Sequence, residues 1–405
     1  MGTRAYIAAA LLVALALASA AGAAGTDTPG VSSKEIVIGG TIPLTGPASA
    51  YASVAKGAAA YFRYVNAGGG VNHRKIKYLY RNDEYDPVKT LDRTRELVQQ
   101  DHVFAIFNTL GTETNLAIRG YLNQLKVPHL FVASGASTWG RDYKRYPWTI
   151  GYQPSYVAEA TIYGRYIARN APRSRIGVLY QNDDYGKDLV KGLERGLAAK
   201  KKLIVAKQGY AVTDDNVRSQ VARLNGARAN TLMIFATPKF AIQAYSAARQ
   251  LGWRPKVYVN AVSSAANIMT IARLSSSRAQ TEGSISIVFL KDPTDPKWRR
   301  DKAVALFRSI LKKYNRGQGL EDVYNVYGMS AAFTMVDALK HAGRNPTRLS
   351  VMRAATHLNE RKNPFLLPGI SVRTSPTNRF PLAQARLERY HNGRWVSFGP
   401  IISVR

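Results

Sequence analysis

The chain has 405 residues, no cysteine, and 57 Lys and Arg against 26 Asp and Glu, for a formal charge of +31. The lack of cysteine removes a disulfide scaffold, a thiol nucleophile and a lipid-anchored amino terminus, while the length suits two domains whose cores need no covalent staple. The cations, among them Arg93, Arg119, Lys191, Arg223 and Arg249, are scattered along predicted helices without a zinc-finger or aromatic RNA-binding signature, so no nucleic-acid partner is expected; the charge reads as a field that attracts anionic headgroups or steers anionic ligands.

Residues 1–23 carry one early cation, Arg4, then an apolar run over 5–18 and small residues suited to cleavage after Ala20 or Ala23, the order of a secretory signal peptide. The run is shorter than the roughly 20 residues that span a bilayer. A free periplasmic protein is therefore expected. From Glu35 strand and helix alternate, the pattern of a parallel sheet covered on both faces. Strands are predicted over 36–41, 76–81, 103–107 and 129–133, with helices over 50–66, 86–99 and 112–125. The first strand breaks into a tight Gly- and Pro-containing loop at its carboxyl end, where open α/β sheets bind ligands, and this layout recurs at 103–115 and 127–138. Residues 139–156 are dense in aromatics and Pro, without a clean period, and mark a crossing between lobes.

A second series follows, with helices over 157–169, 187–199, 216–225 and 239–251 and strands over 175–180, 203–210, 231–235 and 257–262. Two similar halves imply a cleft between them. Beyond Glu282 the pattern is mixed: an extended run over 284–289, helices over 297–314, 324–341 and 349–357, then strands over 387–390 and 394–398 around Asn392-Gly393, a strong hairpin signal. The fold class is α/β.

Five stretches carry a family likeness: IPLTGPASAY at 42–51, VNAGGGVNHRKI at 65–76, YRNDEYDP at 80–87, VPHLFVASGAS at 127–137 and QNDDYGKDL at 181–189. In this order and spacing the chain resembles the extracytoplasmic solute-binding proteins of branched-chain amino acid ABC transporters, the leucine/isoleucine/valine-binding type. The resemblance implies a type I periplasmic binding protein: two Rossmann-like lobes with mainly parallel sheets, joined by three hinge crossings. These are placed near Gly151, Gly283 and Pro368, which assigns 31–150 with 284–367 to the first lobe and 151–283 with 368–405 to the second. It also implies a solute held at the interface, hinge closure around it, and docking of a monomer on permease subunits, with no cofactor or metal.

The resemblance further implies the ligand-binding residues. Tyr51 matches the family's aromatic wall, although a helix-end packing role suits it too. Gly111 stands where the family usually has Ser, and Thr112 is the hydroxyl available in its place, beside helix N-terminal amides that suit a carboxylate. Ala133, Ser134 and Gly135 match the next loop; Gly135 occupies the hydroxyl position, leaving Ser134 or Ser137 to supply that group. Tyr185 matches an aromatic that closes from the second lobe, Thr237 a position often aromatic, and Tyr324 a residue lining the cleft from the first lobe. The departure is at Val262 and Ser263, where amino-acid binders carry an acid for the ligand ammonium; Asp183, Asp184 and Glu282 are the acids left to substitute, although surface-turn or crossing-strand roles suit all three better. The solute is accordingly a branched-chain or other amino acid, an aromatic or aliphatic carboxylic acid, or an amide, in transport or in sensing. An enzyme is not expected. The six histidines lack metal-ligand spacing, no Gly-x-Ser-x-Gly elbow occurs, and Gly68-Gly69-Gly70 ends a helix instead of opening one.

Overall fold

The structure is a computed structural model that describes residues 28–403, so the expected signal peptide lies outside the described residues. Strands β1 (Glu35–Ile42), β2 (Lys75–Asn82), β3 (Ala105–Phe107), β4 (His129–Val132) and β5 (Thr149–Gly151) form a parallel sheet in the order β2-β1-β3-β4-β5. A second sheet takes β6 (Ile176–Gln181), β7 (Ile204–Tyr210), β8 (Thr231–Phe235), β9 (Lys256–Val259) and β10 (Ile285–Val288). Between β10 and the return of the chain to that sheet, β11 (Asn359–Glu360) and β12 (Val372–Arg373) pair with each other. The hairpin β13 (Gln384–His391) and β14 (Arg394–Ser403) then completes the order β14-β13-β10-β9-β8-β6-β7, antiparallel only at β13 and β14. Strands such as β8, Thr-Leu-Met-Ile-Phe, are buried along their whole length because helices cover both faces of each sheet.

Capping explains most shifts from the predicted boundaries. Helix Asp184–Leu197 begins three residues earlier than its apolar period because the Asp183 carboxylate accepts from the Gly186 amide. Helix Lys302–Tyr314 begins later, at the Asp301 cap. β5 and helix Ala266–Ser275 were not expected, and β9 stops at Val259, giving way to a 3-10 turn, Ala261–Ser263. Two segments also change sides. Residues 285–288, assigned from sequence to the first lobe, are β10 of the second sheet. Ile370, Val372 and Leu382, assigned to the second lobe, pack in the first-lobe core, so the chain rejoins the second sheet only at β13.

The first-lobe core is built on two helices, Ala52–Ala67 and Val323–His341, the latter buried on nearly every side. They approach through glycines. A Cβ placed on Gly328 would lie 2.0 Å from the Val54 carbonyl oxygen, and one on Gly57 would lie 2.3 Å from that of Asn325. Tyr51 and Tyr324 sit at the ends of these helices, with rings 5.1 Å apart. Gly328→Ala should therefore destabilise the protein by about 1–3 kcal/mol through overpacking. A lower denaturation midpoint at unchanged m-value, together with weaker solute binding, would register both effects.

Candidate functional site

The lobes face each other across a cleft with about 980 Å³ of empty space, counting its open mouth. From the first lobe come Tyr51, Tyr85, Gly111, Ala133, Tyr324 and Tyr327; from the second come Tyr156, Glu159, Tyr185, Thr237 and Val262. Tyr51 meets Tyr324 edge to face at 5.1 Å, and Tyr156 meets Tyr185 in the same manner at 4.8 Å, so each wall carries an aromatic pair in its preferred geometry. Hydrogen bonds cross the cleft as well. The Tyr324 hydroxyl donates to the Val262 carbonyl (2.8 Å), and the Ser137 amide and hydroxyl donate to Asp188 (2.6 and 3.1 Å).

Gly111 has φ +105°, and a Cβ there would lie 2.5 Å from the Thr114 hydroxyl and 2.7 Å from the Tyr85 ring. A side chain is excluded by backbone and by space. Helix Glu113–Gln124 starts immediately afterwards with no side-chain cap at Thr112; Thr112, Thr114 and Asn115 are buried, and the cleft lining at this end is Leu110 and Gly111.

Glu159 lies in the first turn of helix Tyr156–Asn170 and is 2% exposed. The Tyr163 hydroxyl (2.8 Å) and the Ala261 amide (2.7 Å) both donate to its Oε1, and no donor among the described residues reaches Oε2. Burial pushes its carboxyl up to about 7, against the pull of those two donors. Its contact with Ala261 sets it against the turn after β9, the place where the family pattern asks for an acid. The charged residues lining the cleft are Glu159, Asp292 and Glu388; no Lys, Arg or His joins them among the described residues.

The sequence profile of the periplasmic binding protein family matches residues 35–388. The chain belongs to this family. It is similar to Leu/Ile/Val-binding protein homolog 1 of Brucella abortus (strain 2308), at 24% identity over 77% of this chain and 80% of the relative. Among solved structures it is similar to a branched chain amino acid ABC transporter protein from Thermus thermophilus with bound valine, with TM-score 0.81, 17% identity, and coverage of 92% and 98% of the two chains. It is also similar to a solute binding protein from Rhodopseudomonas palustris BisB5 in complex with 3,4-dihydroxy benzoic acid, with TM-score 0.75, 18% identity, and coverage of 91% and 97%. The fold is that of a type I periplasmic binding protein.

In this periplasmic binding protein, Tyr51, Gly111, Ala133, Tyr185, Thr237, Val262 and Tyr324 line the cleft, whereas Thr112, Ser134, Gly135 and Ser263 do not. The hydroxyls of Thr112 and Ser134 bond each other at 2.7 Å, and Ser263 donates to the Ala236 carbonyl. Gly135 is pressed against the Pro154 carbonyl and the Tyr156 ring. Of the acids considered as substitutes, Asp183 caps a helix and Glu282 meets His391, and none of Asp183, Asp184 and Glu282 lines the cleft. Sequence reasoning missed Tyr85, Tyr156, Glu159, Asp292, Tyr327 and Glu388. A signal existed for Glu159, an acid on the apolar helical stripe of Tyr156, Ala160, Tyr163 and Ile167.

The raised Glu159 carboxyl has a stability consequence of definite sign. Its protonated form favours the folded, unliganded protein below the ordinary value of 4.5, and that contribution is lost as pH rises through about 7. Glu159→Gln should therefore remove on the order of 3 kcal/mol of the fall in unfolding free energy between about pH 4 and 8, read from denaturant titrations across that window.

Proposed function

We propose that the protein is an extracytoplasmic solute-binding protein that captures a small carboxylate-bearing solute, an amino acid, between its lobes and delivers it to the permease of an ABC transporter. The observation that carries this reading is Glu159, a buried carboxyl in the cleft wall whose second oxygen has no protein donor. A cation enclosed without a countercharge is costly, and Glu159 supplies that countercharge to an α-ammonium from a helix instead of from the turn at Val262 and Ser263. On the opposite lobe the uncapped helix N-terminus that follows the cleft-lining Gly111 suits the α-carboxylate. An amino acid bridging the two would favour closure, because only the closed form offers both contacts. The resemblance to Leu/Ile/Val-binding proteins and the valine-bound relative in fold point the same way.

A second reading, an aromatic carboxylic acid, is favoured by the six cleft tyrosines and by the neighbour that holds 3,4-dihydroxy benzoic acid. It would place an anion in a cleft lined by three acids, which suits it only while those acids stay protonated. Melting the purified protein with leucine, valine, lysine, benzoate and 3,4-dihydroxybenzoate separates the two readings, since a ligand held only by the folded state raises the melting temperature. Amino acids are expected to stabilise it, and Glu159→Gln to weaken their binding by about tenfold or more, as loss of a buried charge-assisted hydrogen bond implies. Stabilisation by the benzoates alone would overturn the amine.

A further inference from the structure

Glu388 on β13 is 5% exposed and lines the cleft, yet no hydrogen-bond donor among the described residues reaches its carboxyl. Burial, and after it the negative charges of Asp292 and Asp295, push that carboxyl well above the ordinary range. Asp292, 8% exposed and lining the same cleft, accepts from the Thr294 amide and hydroxyl at 2.7 Å each, both through Oδ1, so its Oδ2 has no such donor. The neighbouring cations are engaged elsewhere. Lys291 binds both oxygens of Asp301 at 3.0 and 2.8 Å, Arg386 donates to the Gly399 carbonyl, and Arg389 lies over the Phe398 ring while donating to the Tyr166 hydroxyl. Two carboxyls thus face one cavity without a protein cation, in a chain of charge +31.

We infer that Glu388 and Asp292 form a second subsite that takes a cationic nitrogen of the solute, so that the solute is an amino acid whose aliphatic stem ends in an ammonium or guanidinium group. The inference rests on the proposed capture of an amino acid in this cleft and narrows its class. Val288, Leu290 and Val323 line the same cavity and suit methylenes. A buried carboxylate facing another acid is unfavourable until a cation arrives, and a ligand cation both neutralises it and satisfies its lone pairs.

Calorimetric titration of the purified protein at neutral pH with L-lysine, L-arginine and L-norleucine tests this, because norleucine has the lysine stem without its terminal charge. Lysine or arginine should bind at least about tenfold tighter than norleucine. Glu388→Gln should reduce that preference to about threefold or less by weakening lysine and arginine more than norleucine, and Asp292→Asn should reduce it in the same direction and provide a second variant should Glu388→Gln not fold. Norleucine binding as tightly as lysine and arginine, or weakening of all three alike in Glu388→Gln, would overturn the subsite while leaving amino-acid capture in place. Failure of all three amino acids to bind would remove both.

Discussion

Burial of carboxyl groups without a protein cation is the constraint around which the cleft is organised. Removing a carboxylate from water costs several kcal/mol unless a partner compensates, and Glu159, Asp292 and Glu388 are all held in the cleft wall without Lys or Arg beside them there. The chain has cations in abundance but spends them outside the cleft. Arg119, for instance, is stacked on the Tyr146 ring at 3.8 Å, behind the first-lobe loops. Surface and cleft therefore have opposite electrostatic preferences. The long-range field acts on a solute's net charge over about 8–10 Å of screened solvent. The cleft acts on individual groups after desolvation. A simple anion would be drawn to the surface and find no countercharge within the wall, whereas a zwitterion or cation has a partner there.

The same constraint ties binding to closure. In the proposed amino-acid reading the carboxylate is met by the first lobe and the ammonium by Glu159 on the second, so neither lobe alone satisfies both ends of a small zwitterion. Among the hydrogen bonds between lobes, Tyr324 to Val262 has a net worth of about 1 kcal/mol, and those accepted by the carboxylates of Asp188 and Glu113 about 1.5–3 kcal/mol each. At the base of the hinge the arrangement is stiffer. The Tyr152 hydroxyl, Ser330, Thr334, Glu360 and Asn363 form one buried network that binds the chain leaving β5 to helix Val323–His341 and to the segment after β11.

Much of the architecture was legible because it is written locally. Apolar runs closed by Gly, Pro or Asp mark β1, β8 and the helices that follow them, and period and caps are properties of neighbouring residues. β5 was not legible: three residues inside an aromatic-rich stretch become a strand only by pairing with β4. The lobe membership of β10 is likewise decided by β9 and β13, far away in sequence. In the site, Tyr51, Gly111 and Tyr185 could be read from motifs, whereas Tyr85, inside one of those motifs, was missed and Gly135 does not line the cleft. The hydroxyls could not, since Thr112 and Ser134 look free until the fold brings them within 2.7 Å of each other. Glu388 was hidden for a related reason. Leu387 and Glu388 are both buried, so simple alternation along β13 does not say which face meets the cleft.

The displacement of the acid from the turn after β9 to helix Tyr156–Asn170 changes how it is held. A carboxylate on a short irregular turn depends on that turn for its position. Glu159 is fixed by a helix, clamped at Oε1 by Tyr163 one turn further along and by the Ala261 amide, and favoured in its ionised form by the first-turn location at the positive end of the helix dipole. Burial opposes that ionisation strongly enough to bring the group near neutrality. An arriving ammonium removes the opposition, because it replaces the lost hydration at Oε2. In the proposed amino-acid reading, capture of an amine and release of a proton from Glu159 are two sides of one event, because the wall disfavours a bare carboxylate.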